Sequence, residues 1–234
     1  MLATMQARTA PPPPASLLPA PGAAAAPHLL APLEPLGVTI RADRDEEIVA
    51  QGDPAGYCYV VLSGCLRTVS LMDDGRRQVG EFLFAGALFG WEALDTYDFA
   101  AEAVTPVVLR RYPRRSLELL ADRDAGFARR LRAVIAAQMR AGRERLVLLG
   151  RKTASERIAT FLLEMATRLG SDATSLIELP MGRADMADYL GLTVETVCRG
   201  LGRFGRSGAI TVDRARVTIR DRRALGVAGC EFMH

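Results

Sequence analysis

Residues Gly182–Gly208, GRADMADYLGLTVETVCRGLGRFGRSG, have the spacing of two short helices joined by a tight turn. Gly191 sits at the turn, where the backbone needs a left-handed conformation that glycine adopts freely. Before it, Met186, Ala187 and Leu190 form an apolar face, and the small Ala187 lets a second helix cross closely. After it, Leu192 and Val197 complete a small core. Thr193 stands where an N-cap is wanted, so the second helix starts near Val194, and Glu195 in its first turn suits the positive end of the helix dipole.

That second helix carries Glu195, Cys198 and Arg199 at i, i+3 and i+4, so the three project from one face near its N-terminal end. A DNA-reading helix-turn-helix presents this end to the major groove. Arg can donate a bidentate pair to guanine O6 and N7, Glu can accept from cytosine N4, and a small residue between them can touch a thymine methyl. Glu195, Cys198 and Arg199 are therefore the expected base-reading residues, with Thr193, Thr196 and Arg203 expected on the DNA backbone. The bland alternative is a solvated helix in which Glu195 and Arg199 pair with each other.

The segment Leu190–Phe204, LGLTVETVCRGLGRF, resembles the recognition segment of the Fnr/FixK branch of the Crp-Fnr bacterial transcription regulators. Members of that branch carry Glu, a Ser or other small residue, and Arg at the positions of Glu195, Cys198 and Arg199. The resemblance implies a homodimer on double-stranded palindromes of the TTGA…TCAA type, with Glu195 and Arg199 on the G·C pair of each half-site. It also implies activation of low-oxygen respiratory genes through contact with RNA polymerase, with oxygen sensed upstream by other proteins. The residues alone do not separate an activator from a repressor. Gly200 departs from the family pattern, which has an aliphatic residue there; with Gly202 it places two glycines in one helix, each costing about 1 kcal/mol relative to Ala.

Upstream, from Val38 to about Tyr112, short apolar runs alternate with glycine-bearing turns, a pattern that predicts an antiparallel β-roll or barrel. Gln51-Gly52-Asp53, Tyr59-Val60-Val61-Leu62-Ser63-Gly64 and Asp73-Asp74-Gly75 are similar to the cyclic-nucleotide-binding fold of the same superfamily. In members that bind cyclic AMP, a Gly-Glu pair and a following Arg-Ser or Arg-Thr hold the ribose and phosphate, the Arg through a charge-assisted contact. Here Gly90-Trp91-Glu92 has a residue inserted into the pair. No Arg or Lys lies between Ala93 and Leu109, while Asp95, Asp98 and Glu102 are acidic. The roll is expected to persist as scaffold without cyclic nucleotide or other cofactor; the alternative is a small-molecule-responsive regulator with a repurposed pocket.

From Arg123 to Arg151 a proline-free helical pattern brings Phe127, Leu131, Val134, Ile135, Met139, Leu146 and Leu149 to three- and four-residue steps. An apolar stripe on so long a helix needs a covering partner, and a second copy of the chain is the expected one, these seven residues forming the dimer seam. Packing against the roll alone is the alternative, because Gly126, Gly142 and Gly150 spoil a strict heptad. Beyond it, ASERIATFLLEMATRLG opens the C-terminal domain. Ile210–Val212 and Arg216–Arg220 read as a β-hairpin wing, with Arg214, Arg216 and Arg220 placed to lie along phosphates.

The expected organisation is α+β: an Ala/Pro-rich extension over 1–35, a β-roll over 36–121, a dimerisation helix over 122–151 and a winged helix-turn-helix over 152–234. Nine prolines within residues 1–35, and a single charge before Glu34, predict that the extension is disordered and without a helix. It lacks the basic start and uninterrupted apolar core of a secretory signal, and no run elsewhere is long enough to span a membrane, so a cytoplasmic protein is expected. Net charge is only +3, but nine Arg face five acidic residues from Met181 to Arg223, which concentrates positive charge where DNA belongs.

Cysteines 58, 65, 198 and 230 show no CxxC and no metal-ligand spacing, so free thiols and no metal are expected. Fnr itself binds an iron-sulfur cluster through cysteines near its N-terminus, and no cysteine precedes Cys58 here. Cys198, on the base-reading face, is a candidate oxidation switch; alternatively it replaces Ser as a small residue. The only histidines are His28 and His234, and no P-loop, nucleophile elbow or dinucleotide fingerprint occurs, which argues against an enzyme.

Overall fold

The computed structural model describes residues 29–169 and 176–228. The chain first builds two four-stranded antiparallel sheets that face each other as a roll. One holds β1 (Val38–Ala42), β8 (Val107–Pro113), β3 (Tyr57–Ser63) and β6 (Leu88–Phe89), in the order β1-β8-β3-β6. The other holds β2 (Glu47–Val49), β7 (Ala100–Ala103), β4 (Cys65–Leu71) and β5 (Arg77–Phe84), in the order β2-β7-β4-β5. Tyr59, Val61, Leu66, Leu83, Phe89 and Leu109 are drawn inside from both sheets, as period-two alternation requires, and Tyr97 joins them from the segment between β6 and β7.

Order begins before the expected boundary at residue 35, and the expectation of no helix in the proline-rich stretch is corrected. Residues 1–28 lie outside the described part, but Ala31–Leu36 form a 3-10 helix. Leu29, Leu30 and Leu33 are buried beside Cys58, Val60, Leu88, Leu117, Phe127 and Leu131. Glu34 accepts a hydrogen bond from Tyr112 Oη (2.8 Å) and pairs with Arg110 (2.8 Å). Each buried leucine contributes about 1.5–3 kcal/mol, enough to offset the ordering of a short segment. Proline is no obstacle at Pro32, in the first turn, where no backbone donor is needed.

After the roll come α1 (Arg114–Arg123) and α2 (Ala125–Arg151). Asp124 caps α2 by accepting from the backbone N–H of Gly126 (2.7 Å) and Phe127 (3.0 Å). The seven-residue stripe expected on α2 divides. Phe127, Leu131 and Val134 are buried within the chain itself, against the roll and the N-terminal leucines, so they are corrected from dimer seam to internal core. Ile135 is half-buried, Met139 and Leu146 are 57% and 72% exposed, and Leu149 packs partly against the C-terminal domain. The reason is length: at 1.5 Å per residue α2 extends about 40 Å, farther than the roll can cover.

The C-terminal domain comprises α3 (Ala154–Leu169), β9 (Leu176–Glu178), α4 (Arg183–Leu190), α5 (Val194–Arg206), β10 (Ile210–Asp213), β11 (Arg216–Ile219) and α6 (Arg222–Ala228). The wing has a third strand that the sequence did not signal, giving the order β10-β11-β9 with Ile177 opposite Val217. Three residues are too few for a periodicity to show.

Candidate nucleic-acid interface

Gly191 ends α4 in the left-handed conformation (φ 60°, ψ 45°), and its N–H donates to the Ala187 carbonyl. Two residues later Thr193 caps α5, its hydroxyl accepting from the Thr196 N–H at 3.2 Å. Val197, Leu201 and Phe204, at i, i+4 and i+7, are buried on one face of α5. Gly200 is buried with them, and a Cβ there would stand 2.4 Å from Cδ1 of the buried Ile158 on α3. That contact explains the departure from an aliphatic residue: Ile158 occupies the space such a side chain would fill.

The opposite face of α5 is open. Glu195 and Arg199 are 75% and 72% exposed and Cys198 is exposed between them. Glu195 Oε1 and Arg199 Nη1 lie 3.3 Å apart, so the two do pair across one turn. An exposed pair of this kind is worth about 0–1 kcal/mol, too little to hold either side chain from a base. Arg199, Arg203 and Arg206 follow at steps of four and three, and with Thr196 and with Ser155 of α3 they line one groove between α3 and α5. Arg206 and Ser155 were not among the expected contacts. Arg206 was legible, since it continues the Arg199–Arg203 spacing, whereas Ser155 reaches the groove only through tertiary packing.

The wing arginines sit apart from this stripe. Arg214 occupies the turn between β10 and β11 with φ 52°, and its carbonyl accepts from Arg183 Nη2 at 3.1 Å. Arg216 Nε is 4.0 Å from Glu178. Arg220, expected within the strand, lies one residue beyond β11, where its Nε donates to Thr211 Oγ1 at 3.4 Å.

The domain is tied to the roll through α4, and no sequence pattern announced this seam. Asp185, the one buried charged residue among those described, accepts from Arg67 Nη1 (3.1 and 3.2 Å) and from Arg77 Nη2 (2.6 Å). Arg77 Nε also donates to Asp188 at 2.6 Å. At the other end of α4, carbonyls without intrahelical partners are met by donors from three elements. Gln78 of β5 donates to the Asp188 carbonyl, Arg145 of α2 to that of Tyr189, and Arg157 of α3 to that of Leu190 (2.9 Å). Arg145 stacks on the Tyr189 ring, 3.4 Å from its centre, and burial lowers its pKa. Phe82 of β5 packs with Phe161 and Tyr189 behind these charges.

Inside the roll, Tyr59 stacks on Phe89 with ring centres 5.0 Å apart, and Tyr97 Oη donates to the Tyr57 carbonyl at 2.7 Å. One cation does approach the segment between β6 and β7, from outside the window read for arginines. Arg114 donates through Nη1 to the Leu94 carbonyl, and its Nε pairs with Glu118 at 3.0 Å. Cys58 and Cys65 are buried in separate clusters, and burial pushes both thiols up to about 12. Among the described residues no group of three or more His, Cys, Asp or Glu is arranged to hold a metal ion. Nor is any described helix long and apolar enough to cross a membrane.

A β-roll joined by a long helix to a winged helix-turn-helix defines a two-domain transcription regulator. Comparison with known proteins agrees: residues 39–124 match a cyclic nucleotide-binding domain and residues 156–227 a Crp-like helix-turn-helix domain. The chain is 43% identical over 194 residues to the nitrogen fixation regulation protein FixK of Azorhizobium caulinodans, covering 81% of this chain and 78% of that one. It is 34% identical over 182 residues to the transcriptional activator protein anr of Pseudomonas aeruginosa, covering 76% and 75%. The solved structure of FixK2 from Bradyrhizobium japonicum superimposes with a TM-score of 0.79 at 40% identity, over 82% of this chain and 96% of that one. The chain belongs to the Crp/Fnr family of transcription regulators, and these relatives are regulators rather than enzymes.

Proposed function

We propose that this protein is a cytoplasmic activator that binds TTGA…TCAA-type palindromes as a homodimer, without cyclic nucleotide, and recruits RNA polymerase. The observation that carries the reading is the open face of α5, where Glu195, Cys198 and Arg199 stand at the capped end of the helix beside an arginine stripe. Arg199 takes guanine and Glu195 the paired cytosine. Thr193, Thr196, Arg203 and the wing residues Arg214, Arg216 and Arg220 serve the phosphates. Exposed Met139, Leu146 and Val147 on the uncovered part of α2 support a two-fold partner, which a palindrome requires. The activator role rests on the relatives that carry that name. Selection of bound sequences from a random DNA pool tests the reading: a two-fold symmetric site with G·C in each half is expected, and an asymmetric or featureless pool would overturn it.

The exposure of Cys198 on the base-reading face favours an added redox control. Each equivalent of hydrogen peroxide transfers one oxygen to sulfur and leaves as water, and two equivalents give the sulfinic acid. Its bulk and negative charge beside the DNA phosphates oppose binding. Peroxide should abolish operator binding by the unmodified protein and spare Cys198→Ser; equal loss in both would place the sensitive group elsewhere.

A further inference from the structure

We propose that the β4–β5 hairpin is an orienting clamp for the DNA-binding domain, in which Arg67, Arg77 and Gln78 grip α4 and set the angle at which each recognition helix meets its half-site. The inference rests on the palindromic reading above and adds residues that touch no DNA.

Arg67 is held by the roll before it reaches α4. Its Nε donates to Glu102 of β7 (2.7 Å) and its Nη2 to Asp45 in the β1–β2 turn (3.3 Å), which leaves Nη1 aimed at Asp185 (3.1 Å). Arg77 forks to Asp185 and Asp188, both at 2.6 Å, and these two carboxylates stand at i and i+3 on one side of α4. Two guanidiniums from neighbouring strands thus fix one helix at two points along its length.

The aromatic contact of Phe82 with Phe161 and Tyr189 attracts the domain but is non-directional, so it tolerates sliding. Charge-assisted pairs with planar guanidiniums do not. The Arg67–Asp185 pair is nearly buried, with side chains 11% and 9% exposed, and such pairs contribute little net stability against an apolar replacement. What it supplies is geometry. The clamped arrangement leaves Glu195 and Arg199 open to solvent, so it holds a state that DNA can reach.

A dimer gains from its second half-site only when both reading heads fit the spacing together. Arg77 and Asp188 are the pair to alter, because their side chains are 31% and 29% exposed and tolerate exchange better than the buried pair. Arg77→Glu sets a third carboxylate against Asp185 and Asp188, and Arg77→Glu with Asp188→Arg restores the pair in reverse. Two readouts are taken. In a Cys198→Ser, Cys230→Ser background, spin labels at Leu94→Cys on the roll and Asp213→Cys on the wing report the interdomain distance, with labelled protein diluted in unlabelled. The distribution should broaden in Arg77→Glu and narrow again in the reversed pair. In unlabelled protein, Arg77→Glu should lose about tenfold or more on the palindrome while isolated half-site affinity holds, and the reversed pair should recover. An unchanged distance distribution, or loss on half-site and palindrome alike without rescue, overturns the clamp. If the unaltered protein does not prefer the palindrome, the DNA reading falls and the distance distribution still judges the clamp.

Discussion

The outer face of α5 and the interior of the β-roll differ in how fully their side chains are engaged. On α5 the polar residues are exposed and lightly engaged, with Glu195 and Arg199 bound only to each other. Within the roll the inward positions are aromatic and aliphatic, and Arg114, the cation beside the β6–β7 segment, is committed to Leu94 and Glu118. A surface stays available for a ligand when its own groups are cheap to release. An interior closes when its side chains satisfy one another.

The contrast breaks most directly at Arg199. Replacement by Ala removes the guanine-reading fork and should cost about 1–3 kcal/mol per half-site, so a two-fold operator loses up to twice that. Titration on the palindrome at fixed salt checks it; unchanged affinity would mean that this face does not read bases. Next comes the inner side of the same helix. Gly200→Leu forces a side chain against Ile158 and should lower stability by about 1–3 kcal/mol in denaturant unfolding, with part regained in the double variant carrying Ile158→Ala. A neutral Gly200→Leu would show that α3 and α5 pack less tightly than the 2.4 Å approach implies. The smallest effect belongs to the roll. A ligand shifts an equilibrium only by its differential affinity, so saturating cyclic AMP should change operator affinity by less than about tenfold. A larger change would show that the roll binds the nucleotide and couples it to the operator.

Much of the DNA-binding end was legible because its signals are local. Gly191 at the turn, Thr193 at the cap and the i, i+3, i+4 placement of Glu195, Cys198 and Arg199 all follow from neighbours within one or two helical turns. The roll was legible as a repeat of strands and turns. Reading failed where partners are distant. Leu29, Leu30 and Leu33 lie in a proline-rich stretch whose composition argues for disorder, yet they meet α2 across the fold. The stripe on α2 looked uniform because periodicity records which residues share a face and not what lies opposite them.

The chain by itself determined that a helix-turn-helix follows a β-roll and which side chains lie on the outer face of α5, since both depend on short-range backbone preferences and on period. Only the tertiary structure decided that Phe127, Leu131 and Val134 serve the chain's own core, that the Ile158 side chain packs against Gly200 and would have to move for a larger residue, and that Arg67 and Arg77 hold Asp185 and Asp188 across the domain seam. Those pairings join residues up to 118 positions apart. An arginine on a strand is compatible with solvent, phosphate or a distant carboxylate, and the choice among them is made only when folding brings one within reach and removes the water.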